Sequence, residues 1–176
     1  MRFLTTIFIL GVLSFSVKTA SSELGRKVEV AEIAHTIGTL QPKLGQNRDK
    51  LALAIWNNSQ KTGIDWRLAV AIFYQESSLT LDPQNCLKTN RCNDLGIGQV
   101  RYSVWGKELK IDKTKMLTDV NYAVSKSFDV LHYYKSQYAD RELNWYTRYH
   151  SRTPEHRALY QHRLNHAYSK INSVLD

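Results

Sequence analysis

Apolar residues recur at helical spacing through most of this chain, and the pattern is densest between Asp65 and Leu79. Ala69, Ile72, Phe73 and Glu76 stand at i, i+3, i+4 and i+7, the spacing of one helical face. The face that buries Ile72 and Phe73 is therefore expected to bury Glu76 with them. Asp65 is the expected N-cap, because its side chain can accept from the free amides of the first turn. Leu79 is the expected end, and Asp82-Pro83 enforces an extended segment beyond it.

The flanking pattern predicts further helices. Residues 24 to 46 carry Val30, Ile33, Ile37 and Leu40 at helical spacing, with Gly38, Pro42 and Gly45 as breakers, and read as a short amphipathic helix and loop, an arm that packs on the domain or on a partner. Asn47 opens a helix with Leu51, Ile55 and Trp56 inward, which Thr62-Gly63 stops. Asp119 is placed to cap a long helix to about Tyr138, striped by Val120, Ala123, Val124, Phe128, Leu131 and Tyr134. A helix over about Glu142 to Tyr149 and a last one from Pro154 to about Val174 complete the set. No segment alternates as a strand, so the fold class is mainly α.

Composition adds a compartment. Met1-Arg2, the apolar run Phe3 to Val17 and the small residues Ala20, Ser21 and Ser22 follow the order of a secretory signal peptide. Residues 1–22 are expected to be removed on export, leaving an arm at 23–46 and a catalytic-type domain at 47–176, in the periplasm or outside the cell. An uncleaved signal segment is the one expected route to a membrane. Cys86 and Cys92, the whole cysteine complement, are expected to pair there, closing a short loop worth roughly 2 kcal/mol by chain entropy.

Charge narrows the partners. The formal net charge is +8, and +6 without Arg2 and Lys18, which draws the protein toward anionic material. Export and the lack of a recognisable motif argue against nucleic acid and favour cell-wall polymer or an anionic membrane surface, or a charge that serves solubility alone. His162 and His166 stand at i, i+4, but without an acidic third ligand no metal is expected, and no cofactor either.

The chemistry centres on Glu76. A carboxyl on an apolar face is costly unless neutral or paired, and desolvation favours the protonated form a general acid needs. The alternative is a structural glutamate turned to water at a frayed helix end or paired with an arginine. Gly96-Ile97-Gly98-Gln99-Val100 holds two glycines, which suit a tight turn or a close approach of the backbone to something else.

With these pieces assembled, the chain resembles the catalytic core of the soluble lytic transglycosylase family, a helical lysozyme-like fold with a central buried helix and a substrate cleft. Glu76-Ser77 resembles its Glu-Ser pair, and Gly96 to Val100 its Gly-Leu-Met-Gln-Ile motif. Asp119-Val120-Asn121-Tyr122-Ala123 resembles the segment carrying its downstream Asn, and Tyr149-His150-Ser151-Arg152-Thr153-Pro154 its Tyr-Asn-x-Gly segment in a Tyr-His-Ser form. Four short motifs in order over about residues 65 to 165 make the combination more specific than any one of them. Two departures stand out: Gly98 replaces the usual Met, which is expected to remove a side chain from the cleft, and His150 with Arg152 replaces Asn and Gly.

The resemblance implies cleavage of peptidoglycan glycan strands after N-acetylmuramic acid, with Glu76 as acid and then base and a 1,6-anhydromuramyl product. It implies substrate contacts for Ser77, Gln99, Tyr149 and Asn121, although by residue type each also suits packing or capping. Trp145, Tyr146, Tyr149 and Tyr160 suit sugar stacking or a core. Glycoside cleavage generally needs two carboxylates, and neither Asp82 nor Asp94 shares the helical face of Glu76. Small members of the family often open the wall for secretion or conjugation machinery or for phage, and the resemblance permits that here. The other readings are a hydrolysing muramidase on the same fold and a non-catalytic wall-binding assembly protein.

Overall fold

The computed structural model describes residues 23–45, 47–83, 86–89 and 91–175, so the expected signal segment lies outside the described residues. The described chain is mainly helical. Helix α1 covers 23–40. It is followed by α2 (Asn47–Thr62), α3 (Trp66–Ser77), α4 (Cys86–Thr89), strands β1 (Asp94–Leu95) and β2 (Val100–Arg101), α5 (Tyr102–Trp105), α6 (Lys113–Thr118), α7 (Val120–Tyr138), a 3-10 turn (Trp145–Tyr149) and α8 (Pro154–Leu175).

Helix α3 is the centre of the core because it is apolar on every side. Trp66 and the run Leu68 to Phe73 are all buried, which is the pattern of a helix surrounded by others rather than lying on a surface. It packs between α2 and α8, while α7 packs on α2 and the 3-10 turn. Phe73 meets Phe128 of α7 edge to face at 6.1 Å. The cap at Asp65 is as expected: its side chain accepts from the Arg67 amide at 2.8 Å. Replacing Asp65 by Ala removes that acceptor, and a loss of about 1 kcal/mol, read as a lowered urea midpoint, is the expected outcome.

The other end of α3 differs from the expected stop at Leu79. The helix finishes at Ser77, and Ser78 and Leu79 both take left-handed backbone angles, φ 54° and 64°. Two such non-glycine residues cost about 1–2 kcal/mol each. Burial of the Leu79 side chain offsets a comparable amount. The Ser78 amide bonds the Tyr74 carbonyl at 3.0 Å, and the Leu79 amide bonds that of Phe73 at 3.2 Å.

Of the two expectations for the arm, packing on the domain is the one seen in α1. Ile33 and Ile37 are fully buried in the common core, and Glu29 Oε2 accepts from Trp56 Nε1 of α2 at 2.7 Å. Just after α1, Gln41 Nε2 donates to the Ser78 carbonyl at 3.1 Å, bracing the end of α3.

Helix α7 starts under Asp119, whose side chain accepts from the Asn121 and Tyr122 amides, and its Lys135 ties down the end of α2 through the Thr62 and Gly63 carbonyls. The Cys86–Cys92 disulfide is formed, with Cα atoms 5.4 Å apart. Where no strand was expected, β1 and β2 pair antiparallel with Leu95 opposite Val100. Strands of two residues are too short to show a period of two, so alternation gives no sign of them. The segment from Glu142 to Tyr149 is a 3-10 turn from Trp145 rather than a helix over its whole length.

Candidate active site

Three segments meet around Glu76: the end of α3, the turn joining β1 to β2, and the stretch from Tyr149 into α8. Glu76 is the penultimate residue of α3 and its side chain is 14% exposed. Oε1 is buried and makes no hydrogen bond, while the side chain as a whole keeps some exposure. Nδ1 of His150 lies 3.5 Å from Oε1, on a side chain that is 38% exposed.

The His150 ring lies flat on the ring of Tyr160, centroids 4.4 Å apart and planes within 6°. Tyr160 itself is buried in α8 with its hydroxyl toward Glu76 and without a hydrogen bond. Its pKa is pushed well above the ordinary tyrosine value, first by burial and then by the negative charge of Glu76. The same two causes, in the same order, raise the pKa of Tyr149. Both phenols therefore stay protonated near neutral pH, as donors rather than carriers of charge.

Tyr149 and the turn are locked together. The Tyr149 hydroxyl donates to the Gly98 carbonyl at 2.7 Å, and Ser127 on α7 stands beside both. A Cβ on Gly98 would run into the Ser127 and Tyr149 hydroxyls and come to 2.7 Å from the Ser127 Cβ. The expectation that glycine here vacates part of a cleft is thus corrected: the space a side chain at 98 would take is already filled by Ser127 and Tyr149. Gly96 is constrained independently, with φ 69° and the Met116 carbonyl 2.6 Å from where a Cβ would sit.

The other residues singled out from the sequence fall into two groups. Ser77 is buried, and its hydroxyl donates to the Ile97 carbonyl at 2.7 Å, so it fastens the turn to the end of α3. Gln99 takes a left-handed angle, φ 47°, and its Nε2 donates back to the Gly96 carbonyl at 2.9 Å, closing the turn on itself. Asn121 is exposed in the first turn of α7, where Asp119 does the capping. It precedes Ser127 by six residues, about 9 Å along the helix.

Neither aspartate considered as a second acid is free. Asp82 accepts from the Cys86 and Leu87 amides. Asp94 is held by Arg101, at 2.9 and 3.3 Å. Asp94 nevertheless belongs to the neighbourhood, since its charge adds to the raised pKa of Tyr149.

The 3-10 turn that delivers Tyr149 and His150 is held by ions. Glu142 bonds Arg148 within the segment and Arg157 of α8, and Arg157 Nε also donates to Thr147 Oγ1 at 2.9 Å. Arg148, above all, followed by Arg157, holds the Glu142 carboxyl at about 2, against an ordinary 4.5. A folded-state value below the unfolded one stabilises the fold at pH above 4.5, and that contribution fades as pH falls toward 2. In thermal melts, wild type should therefore exceed Glu142→Gln by a constant margin above about pH 5, with the two converging on acidification.

His150 and Tyr160 were not singled out from the sequence as partners of Glu76. The visible signal was the His150 departure within the Tyr149–Pro154 motif; nothing in the sequence pairs Tyr160 with an acid so distant along the chain. Two surface cavities lie elsewhere, one of about 620 Å³ at Arg141, Asn144 and Gln161 and another of about 1200 Å³ between Leu24, Val28 and Trp56. No protein-family profile, curated protein or solved structure matches the chain.

Proposed function

We propose that this chain is an exported lytic transglycosylase of peptidoglycan, built on a lysozyme-like version of the helical fold, with Glu76 as its acid and base. The observation that carries the reading is a carboxyl with one buried, unmatched oxygen on a side chain that still reaches the surface, at the end of the central helix, while Asp82 and Asp94 are both committed to other partners. A glycosidase with one free carboxyl needs a nucleophile from the substrate. The four-motif resemblance supports the same choice.

In the proposed reaction Glu76 gives its proton to the glycosidic oxygen as the C1–O bond breaks, with the neighbouring N-acetyl oxygen assisting at C1. The C6 hydroxyl of the muramic acid then bonds to C1, and its proton passes to Glu76, which regains the starting state. No water is consumed. The tyrosines bear on this chemistry because, with their pKa values raised, they stay neutral beside the carboxyl and do not take its proton-exchanging role. Gln99, Ser77 and Tyr149 shape and hold the wall of the glycan site, and the positive net charge favours approach to the anionic wall.

The test is digestion of purified sacculi with product masses read by mass spectrometry. Anhydro-ended muropeptides are the expected product. Products heavier by one water identify a hydrolysing muramidase, and binding without release identifies a wall-binding protein, and either result overturns the proposal. A role beside a secretion or conjugation apparatus is the further proposal that the resemblance permits.

A further inference from the structure

Glu76 Oε1 is in an unusual position for a buried carboxylate oxygen, having no hydrogen bond. Leaving such an atom unmatched costs more than most surface interactions return, so donors that face it identify its working partners. Two do so. One is His150 Nδ1, at 3.5 Å from Oε1, about half an ångström beyond a formed hydrogen bond; the other, the buried and unpartnered Tyr160 hydroxyl, lies beside the Glu76 carboxyl. Catalytic hydrogen bonds are often long in the empty site and tighten with substrate. The Tyr149 hydroxyl is unavailable, since it is spent on the Gly98 carbonyl. Charges further out come from Arg163 of α8, acting on Tyr160, and from Asp94 of β1, acting on Tyr149.

The direction of the ring follows from its surroundings. His150 is stacked face to face on Tyr160, which fixes the plane of the imidazole and points Nδ1, rather than Nε2, at the carboxyl. An ionised carboxylate only accepts, so the nitrogen facing it must carry hydrogen. We propose, resting on the reading of Glu76 as acid and base, that His150 is its positioning residue: Nδ1–H grips Oε1 and leaves Oε2 as the oxygen that exchanges the proton with the glycan.

Three variants separate a donor from a packing role. His150→Phe keeps a flat ring on Tyr160 but has no donor, and kcat for sacculus cleavage should fall about 10- to 100-fold with KM little changed. His150→Asn carries an N–H on the atom attached to Cγ, where Nδ1 is attached in histidine, and should keep activity within about fivefold of wild type. His150→Ala loses both stacking and donor, and should fall at least as far as His150→Phe. Melting temperatures are measured alongside. A His150→Phe variant that is folded and fully active overturns the proposal, as does His150→Asn falling as far as His150→Phe.

A readout that needs no glycan keeps the two ideas apart. In nitrogen-15 spectra of the full chain, the neutral His150 ring should be the Nδ1–H tautomer, and Glu76→Ala should return it to the Nε2–H form usual for free histidine. Nε2–H in wild type overturns the positioning role even in an active enzyme. Nδ1–H in a protein that releases no muropeptide leaves the grip standing and overturns the reading of Glu76 as the glycan-cleaving acid.

Discussion

Glu76→Gln should abolish release of anhydro-muropeptides, with a rate loss of at least about a thousandfold, while the fold survives. The size follows from one residue serving two steps: a positioned general acid or base contributes about 10²–10⁴-fold, and neither Asp82 nor Asp94 is free to substitute. A thousandfold corresponds to about 4 kcal/mol of barrier. Survival of the fold follows from shape. Gln has the volume of Glu, and its amide at the Oε1 position meets the Tyr160 hydroxyl and His150 without introducing a buried charge, so the melting temperature should move by only a few degrees. Product quantification together with a thermal melt checks both halves. Residual cleavage above a tenth of wild type would remove Glu76 from the proposed role.

Gly98→Ala should cost about 3 kcal/mol of stability, seen as a fall of roughly 6–12 °C in melting temperature, and should lower cleavage as well. The added methyl group has no free volume: it collides with the Ser127 and Tyr149 hydroxyls, and the Ser127 Cβ is 2.7 Å away. Relief requires Tyr149 to swing off the Gly98 carbonyl or the turn to lift from α7, and either movement disturbs the neighbourhood of Glu76. The same substitution at Gly25 is the control, because nothing lies within 4 Å of the position its Cβ would take and α1 is helical there. Gly25→Ala should leave the melting temperature unchanged or slightly raised. Equal effects at the two positions would show that the crowding at Gly98 is not what matters.

Much of the helical framework was legible because it rests on local signals. Asp65 and Asp119 cap the helices they were expected to cap, and the apolar stripes of α2, α3 and α7 face the core. What escaped is short or strained. The β1–β2 pair is too brief for a periodicity, and the left-handed Ser78 and Leu79 follow from burying Leu79 rather than from any preference of serine or leucine. The arm proved to be part of the core because Ile33 and Ile37 find apolar partners on other elements, a fact about tertiary packing and not about residues 24 to 46 alone.

By itself, then, the sequence determined the helical class, the order of the longer helices, the disulfide, and Glu76 at the end of the central helix, because caps, periodicity and a lone cysteine pair act over short stretches of chain. It also marked Gly96 to Gln99 and Tyr149 as segments of interest. Only the tertiary structure decided what these groups do to one another. It filled the space beside Gly98 with Ser127 and Tyr149, turned Ser77 and Gln99 into braces of one turn, and buried one oxygen of the Glu76 carboxyl without a hydrogen bond. It also placed His150 and Tyr160 against the buried one. Those relations join residues of α3, α7 and α8 through packing of whole helices, and distances set in that way leave no trace in the spacing of residues along the chain.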